Sequence, residues 1–293
     1  MDKFLQLLIP GIVLGCTYGL LALSCSIIYK ASGLMSFMQG DVLTLGAFLG
    51  LTFYSFLGIP FLPSLLLTTA IAFGFGILLE KGVIRVMLNR HVTAAYIVLS
   101  TIAISYIIQN GSQIAWGTIP LYFPSIFNVM TVKILGVNIQ PEAILCVIVS
   151  VICMALMHLF MTKTRFGTAM RAAAMDAKAA ESCGIDVSLS TGVTWGLSAA
   201  LAAVAGMLIG PIYGVYTTLG ATLGRKGFSS AVIGGYGNMY GAIVGGIFLG
   251  VVENCVAGYI SSNYRNLIAY IILIVFLFLR PTGIFNEKAI QDV

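Results

Sequence analysis

The chain has 293 residues, 59% of them hydrophobic and only 9% charged, with a mean hydropathy of +1.02 and a formal net charge of +5. A soluble globular domain carries about 25% charged residues, so this chain uses lipid as its solvent, where only helices or a closed barrel satisfy every backbone polar group. Its apolar residues come in unbroken runs rather than in alternation, which selects helices; the positive charges are scattered between those runs, which fits juxtamembrane anchoring and not nucleic acid.

Residues 4–29 hold no charge and are long enough to cross a bilayer with some tilt. The run is too long for a signal peptide, and no Ala-x-Ala-like site precedes a polar mature domain. Residues 31–79 hold one charge, Asp41, and are long enough for two spans, broken at Gly58-Ile59-Pro60 and Pro63. Residues 34–40 read as a re-entrant approach to the second span. Residues 80–91 read as a charged loop with Lys81, Arg85 and Arg90. The fourth span covers 92–114, with Gln109, Asn110 and Gln113 at its outer end as interfacial or capping groups. A loop with Trp116, Pro120 and Pro124 follows, then the fifth span, 142–161, with His158 near its inner end.

Residues 164–186 form the longest polar interruption in the chain. From about 169 to 182 the residues are Ala-rich with Met, Arg, Lys and Glu, all good helix formers. Gly184 sits where such a helix is capped at its C-terminal end. The expectation is one short helix outside the membrane, shaped to fit into something else. The sixth span is 188–213, and 214–227 reads as a Gly/Thr-rich loop. The apolar run 228–260 is interrupted by Gly234-Gly235-Tyr236-Gly237-Asn238 and reads as a half-helix, a turn and a full span. The last span is 266–279. The fold class expected is therefore all-α and polytopic, a single transmembrane domain over 1–293, with about eight transmembrane helices and a re-entrant half-helix.

With the polar helix inside the cell, the inner loops hold Lys30, Lys81, Arg85, Arg90, Lys163, Arg165, Arg171, Lys178, Arg280 and Lys288. The outer loops hold Lys3, Lys133, Arg225, Lys226 and Arg265, a positive-inside bias that places the N-terminus outside. Small residues recur at helix-packing spacing: Gly11, Gly15 and Gly19, then Gly46/Gly50, Gly206/Gly210, Gly241/Gly245 and Gly246/Gly250. Five of the six cysteines lie in apolar runs without metal or redox spacing.

Asp41 and Glu253 are the carboxylates deep in apolar runs, where a charge costs about 2.5–3.5 kcal/mol or more. They read either as polar points along a solute path or as a gate pair, or else as protonated or hydrogen-bonded carboxyls that fix helix packing; Gln39 shares the first reading. No catalytic constellation is present: the two histidines are far apart and there is no GxxxxGK[ST] phosphate loop. The chain is expected to be no enzyme, to hold no cofactor or metal, and to obtain any ATP-driven work from partners.

The stretch Arg171 to Ile185, RAAAMDAKAAESCGI, resembles the cytoplasmic coupling loop of ABC-importer permeases, most closely the branched-chain amino-acid permease family. Gly15 to Leu23 is similar to that family's first span. Ser36-Phe37-Met38-Gln39-Gly40-Asp41 is similar to its N-F-A-H-G-[ED] stretch, with Met38-Gln39 in place of Ala-His. Lys226 to Gly250, and Arg280-Pro281-Thr282-Gly283-Ile284-Phe285, resemble its C-terminal half. The resemblance implies a multi-pass subunit of the bacterial inner membrane that pairs with a homologous permease. It further implies two ATPase subunits, where ATP binds, and an extracytoplasmic solute-binding protein. It implies ATPase coupling through Arg165, Gly167, Arg171, Ala174, Lys178, Ala180, Glu181 and Gly184, and hydrophobic amino acids as cargo, with urea, amides and small carboxylates carried by relatives. An ion-coupled secondary transporter using Asp41 and Glu253 is the alternative; a membrane-embedded enzyme would need clustered acids, bases or metal ligands.

Overall fold

The computed structural model describes residues 2–90, 92–124, 126–127, 131–134, 137–280 and 282–285. His91, Pro281 and Lys288, and the side chains of Lys3 and Lys133, on which parts of the sequence reading fall, lie outside the described residues.

Helix α1 spans Asp2–Ser32. After an irregular segment, α2 (Gln39–Leu51) runs into a π-helical turn, Thr52–Phe56, and ends before Gly58, which has φ +67°. Helix α3 (Phe61–Leu79) continues through a second π-helical turn, Glu80–Ile84, into α4 (Arg85–Asn89). Helix α5 (Ala94–Trp116) is followed by a small antiparallel pair, β1 (Val132–Ile134) and β2 (Val137–Ile139). Then come α6 (Pro141–Lys163), α7 (Arg165–Met175), α8 (Ala177–Ser182) and α9 (Val187–Tyr213). The chain closes with α10 (Leu219–Gly234), α11 (Met239–Tyr259) and α12 (Arg265–Leu279).

Among the described residues, seven helical stretches are long and apolar enough to cross a membrane: Gln6–Ser32, Phe61–Asn89, Ala94–Trp116, Pro141–Lys163, Val187–Tyr213, Met239–Tyr259 and Ser262–Leu279. The protein is thus a polytopic all-α membrane protein. The eighth expected span is α2. With its π-helical turn it runs from Gln39 to Phe56, but its first turn carries Gln39 and Asp41, and it is not among the seven.

Three local expectations change. The loop expected over 80–91 is helical to Asn89, because Glu80 is buried and paired with Arg85 one turn on, so the charges do not need water to break the helix. The loop expected over 214–227 shrinks to 214–218, and the short helix begins at Leu219 rather than at 228. Glycines 220 and 224 weaken helix propensity, but without side chains they let α10 touch α2: a Cβ on Gly224 would stand 2.7 Å from the Gly40 Cα, and Gly220 N–H donates to Thr44 Oγ1 at 2.7 Å. The single polar helix expected over 169–182 is two helices bent at Asp176, which leaves the helical region (φ −156°, ψ 107°) and caps α8 by accepting from Ala179 N–H at 3.0 Å.

Helices α1 and α9 form the centre, 94% and 89% buried over their spanning windows, whereas the α12 window is only 6% buried. Helices α3, α5, α6 and α12 therefore make the outer wall. The most extensive seam joins α1 to α11, where glycine faces glycine: a Cβ on Gly15 would lie 2.7 Å from the Ile247 Cα, and one on Gly250 would lie 2.5 Å from the Gly15 Cα.

Candidate functional site

Two cavities flank α10, and consecutive residues of that helix serve them. Arg225 lines the first and Lys226 the second.

The first cavity measures about 390 Å³ and lies between the start of α2, the middle of α5, α10 and α12. The segment before α2 is non-helical, and Phe37 N–H donates to Thr101 Oγ1 of α5 at 3.2 Å, which seats it inside the bundle. This places Ser36, Gln39 and Asp41 on the cavity wall, each no more than 3% exposed. Ser105 of α5 donates to Asp41 Oδ2. Four polar atoms on this wall lack a protein partner: Ser36 Oγ, both amide atoms of Gln39, and Asp41 Oδ1. A buried polar group without a partner costs about 1–3 kcal/mol, so the fold carries beside this cavity polar groups that it does not itself satisfy. Arg225 supplies a positive charge on the same wall, and Phe37, Ile102, Phe228 and Leu273 supply apolar surface. Of the outer-end polar groups, Gln109 lines this cavity, while Gln113 donates to Thr217 Oγ1 at 3.4 Å and Asn110 to the Tyr106 carbonyl at 2.7 Å.

The second cavity measures about 290 Å³. Lys226 and Arg265 line it, and both hold one oxygen, Oε1, of Glu253 behind them; the Arg265 Nε is 2.6 Å away. The Glu253 side chain is fully buried and that of Lys226 is 5% exposed. The Tyr18 ring sits beneath the ammonium, its centroid 5.8 Å from Lys226 Nζ. The two intramembrane carboxylates thus belong to different sites: Asp41 faces the first cavity, and Glu253 anchors three helices through two cations. They do not form a gate pair with each other. Lys226 and Arg265, read from the sequence as outer-loop charges, are members of this buried network.

The α7–α8 pair is capped at each end. Thr164 Oγ1 accepts from Gly167 N–H at 3.0 Å, and Asp186 Oδ1 accepts from Leu189 N–H at 2.9 Å at the start of α9. Gly184, at φ +83°, closes α8: its N–H donates to the Glu181 carbonyl at 2.9 Å, and Ile185 N–H donates to the Ala180 carbonyl at 3.0 Å. Gly167 and Ala180 are buried against the bundle, Ala174 is half-buried, and Arg165, Arg171, Lys178 and Glu181 are exposed. Met175, at the bend, is 90% exposed.

The packing glycines sit where backbones touch. A Cβ on Gly46 would stand 2.7 Å from the Ala203 carbonyl oxygen, one on Gly241 2.8 Å from the Gly234 carbonyl carbon, and one on Gly245 2.9 Å from the Gly234 nitrogen. Gly19 is looser, with Met154 Cε at 3.0 Å. The sequence reading missed Ser105, Arg225, Lys226 and Arg265 as site residues. It also missed Glu80, 1% exposed, whose carboxylate takes two bonds from Arg85, at 3.1 and 2.6 Å, while Arg85 also donates to the Ser188 carbonyl at 2.7 Å. The one available signal was the Glu80–Arg85 spacing; the other partners are far apart in sequence. Among the described residues no group of His, Cys, Asp and Glu gathers to hold a metal.

A bundle of membrane-crossing helices, enclosing polar cavities at buried carboxylates and carrying a capped helix pair outside the spans, is the build of a transport permease rather than an enzyme. The chain belongs to the family described as branched-chain amino acid transport system / permease component, which matches residues 7–277. It is 32% identical to the high-affinity branched-chain amino acid transport system permease protein LivH of Salmonella typhimurium, over 99% of this chain and 98% of that one. It is equally similar, at the same coverage, to BraD of Pseudomonas aeruginosa, which bears the same description. It is 28% identical to the probable branched-chain amino acid transport permease protein LivH of Methanocaldococcus jannaschii, over 90% of this chain and 87% of the relative. No solved structure matches.

Proposed function

We propose that the chain is one of two homologous membrane subunits of a binding-protein-dependent ABC importer in the bacterial inner membrane. It forms half of the path for a small solute, with branched-chain or related hydrophobic amino acids as the cargo. The observation that carries this reading is the α7–α8 pair: a capped, outward-facing element with exposed Arg171, Met175, Lys178 and Glu181, in a chain without a phosphate loop. Such a helix pair has little of its own to bury and suits insertion into a groove of an ATPase subunit, with small alanines allowing close approach and charges at the rim. Residues 164–186 are then its coupling element on the cytoplasmic side. Gln39 and Asp41, with Arg225, line the path, because they stand on the wall of a cavity that also offers apolar surface. Ion-coupled secondary transport through Asp41 and Glu253 has less support, since Glu253 is held by two cations instead of standing free to exchange a proton or ion.

The test is uptake into vesicles containing both permeases, the ATPases and the binding protein. Uptake of leucine that requires ATP and survives collapse of ion gradients supports the reading. Uptake that follows an ion gradient without ATP would sink it. Cysteine at Ala174 or Ala177 should cross-link to the ATPase, and labelling of those positions from outside intact cells would overturn the topology.

A further inference from the structure

We infer that the cavity beside α10, α11 and α12 is a binding site for a small carboxylate. The charge balance carries the inference. Lys226 and Arg265 stand at the cavity wall, and one carboxylate, Glu253, stands behind them, sharing a single oxygen between two cations. Among the described residues lining this space there is no acidic side chain. One positive charge is therefore left over at a cleft that opens at the end of the spans, where Arg265 is 24% exposed and Lys226 only 5%, and a charge withdrawn from water without a counter-charge is costly. The rest of the wall supplies hydrogen-bond donors: the hydroxyls of Tyr213 and Tyr216 and the amide of Asn266. At about 290 Å³ the space holds a carboxylate with a short aliphatic group. The first cavity differs, since Asp41 there offsets Arg225. The excess charge thus distinguishes acids from urea and neutral amides. Identifying the bound group as the carboxylate of the transported solute rests on the proposed function; the anion site itself does not.

Arg265→Gln separates the idea from simple packing. It removes the surplus cation and leaves Lys226 and Glu253 as a neutral pair, so the fold should persist. Isovalerate titrated into the purified complex, in nanodiscs of phosphatidylcholine alone, should raise its melting temperature saturably, and leucine should compete. Arg265→Gln should weaken isovalerate about tenfold or more, the loss of one charge-assisted hydrogen bond. Arg265→Lys should retain the response, which controls for a misfolded glutamine variant. The inference is overturned by an equal response to chloride or to isopentylamine, or by unchanged binding in Arg265→Gln. It is also overturned if only phosphatidylglycerol stabilises the complex and isovalerate does not displace it, because the cavity then seats a lipid headgroup. ATP-driven leucine uptake without isovalerate binding refutes this site alone; isovalerate binding without such uptake refutes the importer reading alone.

Discussion

Replacing Glu253 by glutamine keeps the side chain's size and removes its charge, and the structure says that this change acts on assembly first. Oxygen Oε1 of Glu253 holds Lys226 and Arg265 together, and none of its side chain reaches solvent. In Glu253→Gln both cations lose their counter-charge. Arg265 is 24% exposed at the start of α12 and can turn toward water or headgroups. Lys226, 5% exposed, cannot. Removing one partner of a buried ion pair costs about 3–5 kcal/mol, and Lys226 carries most of that here because Arg265 can rehydrate. The glutamine oxygen still accepts one hydrogen bond, which puts the expected loss toward the lower end of that range. The assay is thermal unfolding of the purified complex, read beside its yield by size exclusion. Glu253→Gln should melt earlier and yield less, and Lys226→Met in the same chain should restore much of the loss, since the stranded charge is then gone. The reasoning fails if Glu253→Gln matches the parent in both measurements, or if the double variant is no more stable than the single one.

Gly245→Leu should push α11 off α10, where the backbones of Ser230 and Gly234 leave no room for a side chain; overpacking costs about 1–3 kcal/mol where neighbours can move, so complex recovery should fall, and normal stability with full transport would refute the crossing. Arg85→Met strands Glu80, 1% exposed, and should lower the melting temperature, with Glu80→Gln in the same chain recovering it; no recovery would mean that Arg85 acts through Ser188 alone. Asp41→Asn keeps the bond from Ser105 but removes the charge opposite Arg225; leucine uptake should fall several-fold while the complex purifies intact, and unchanged uptake would take the first cavity off the path.

The sequence alone was enough for the solvent, the fold class and the family, because those depend on quantities that add along the chain: the length of apolar runs, the scarcity of charge, and short contiguous motifs such as Arg171 to Ile185. It also located one cap, Gly184, which acts within one turn of itself; the N-terminal caps Thr164 and Asp186 came only with the structure. It placed Lys226 and Arg265 in water, because a basic residue beside glycines or at the edge of a span reads as a loop charge until its partner is known. That partner is Glu253, brought to them by the packing of α10, α11 and α12. The extent of α10 is the same kind of fact: Gly220 and Gly224 read as loop, and they are helical because Gly40 of α2 lies against them. Where α2 begins is a fact of the same kind, since the segment before it is seated by Thr101 of another helix. What only the tertiary structure decided, then, is which charges meet. The energy of a buried ion pair depends on distance and burial, and neither is a property of position along the chain.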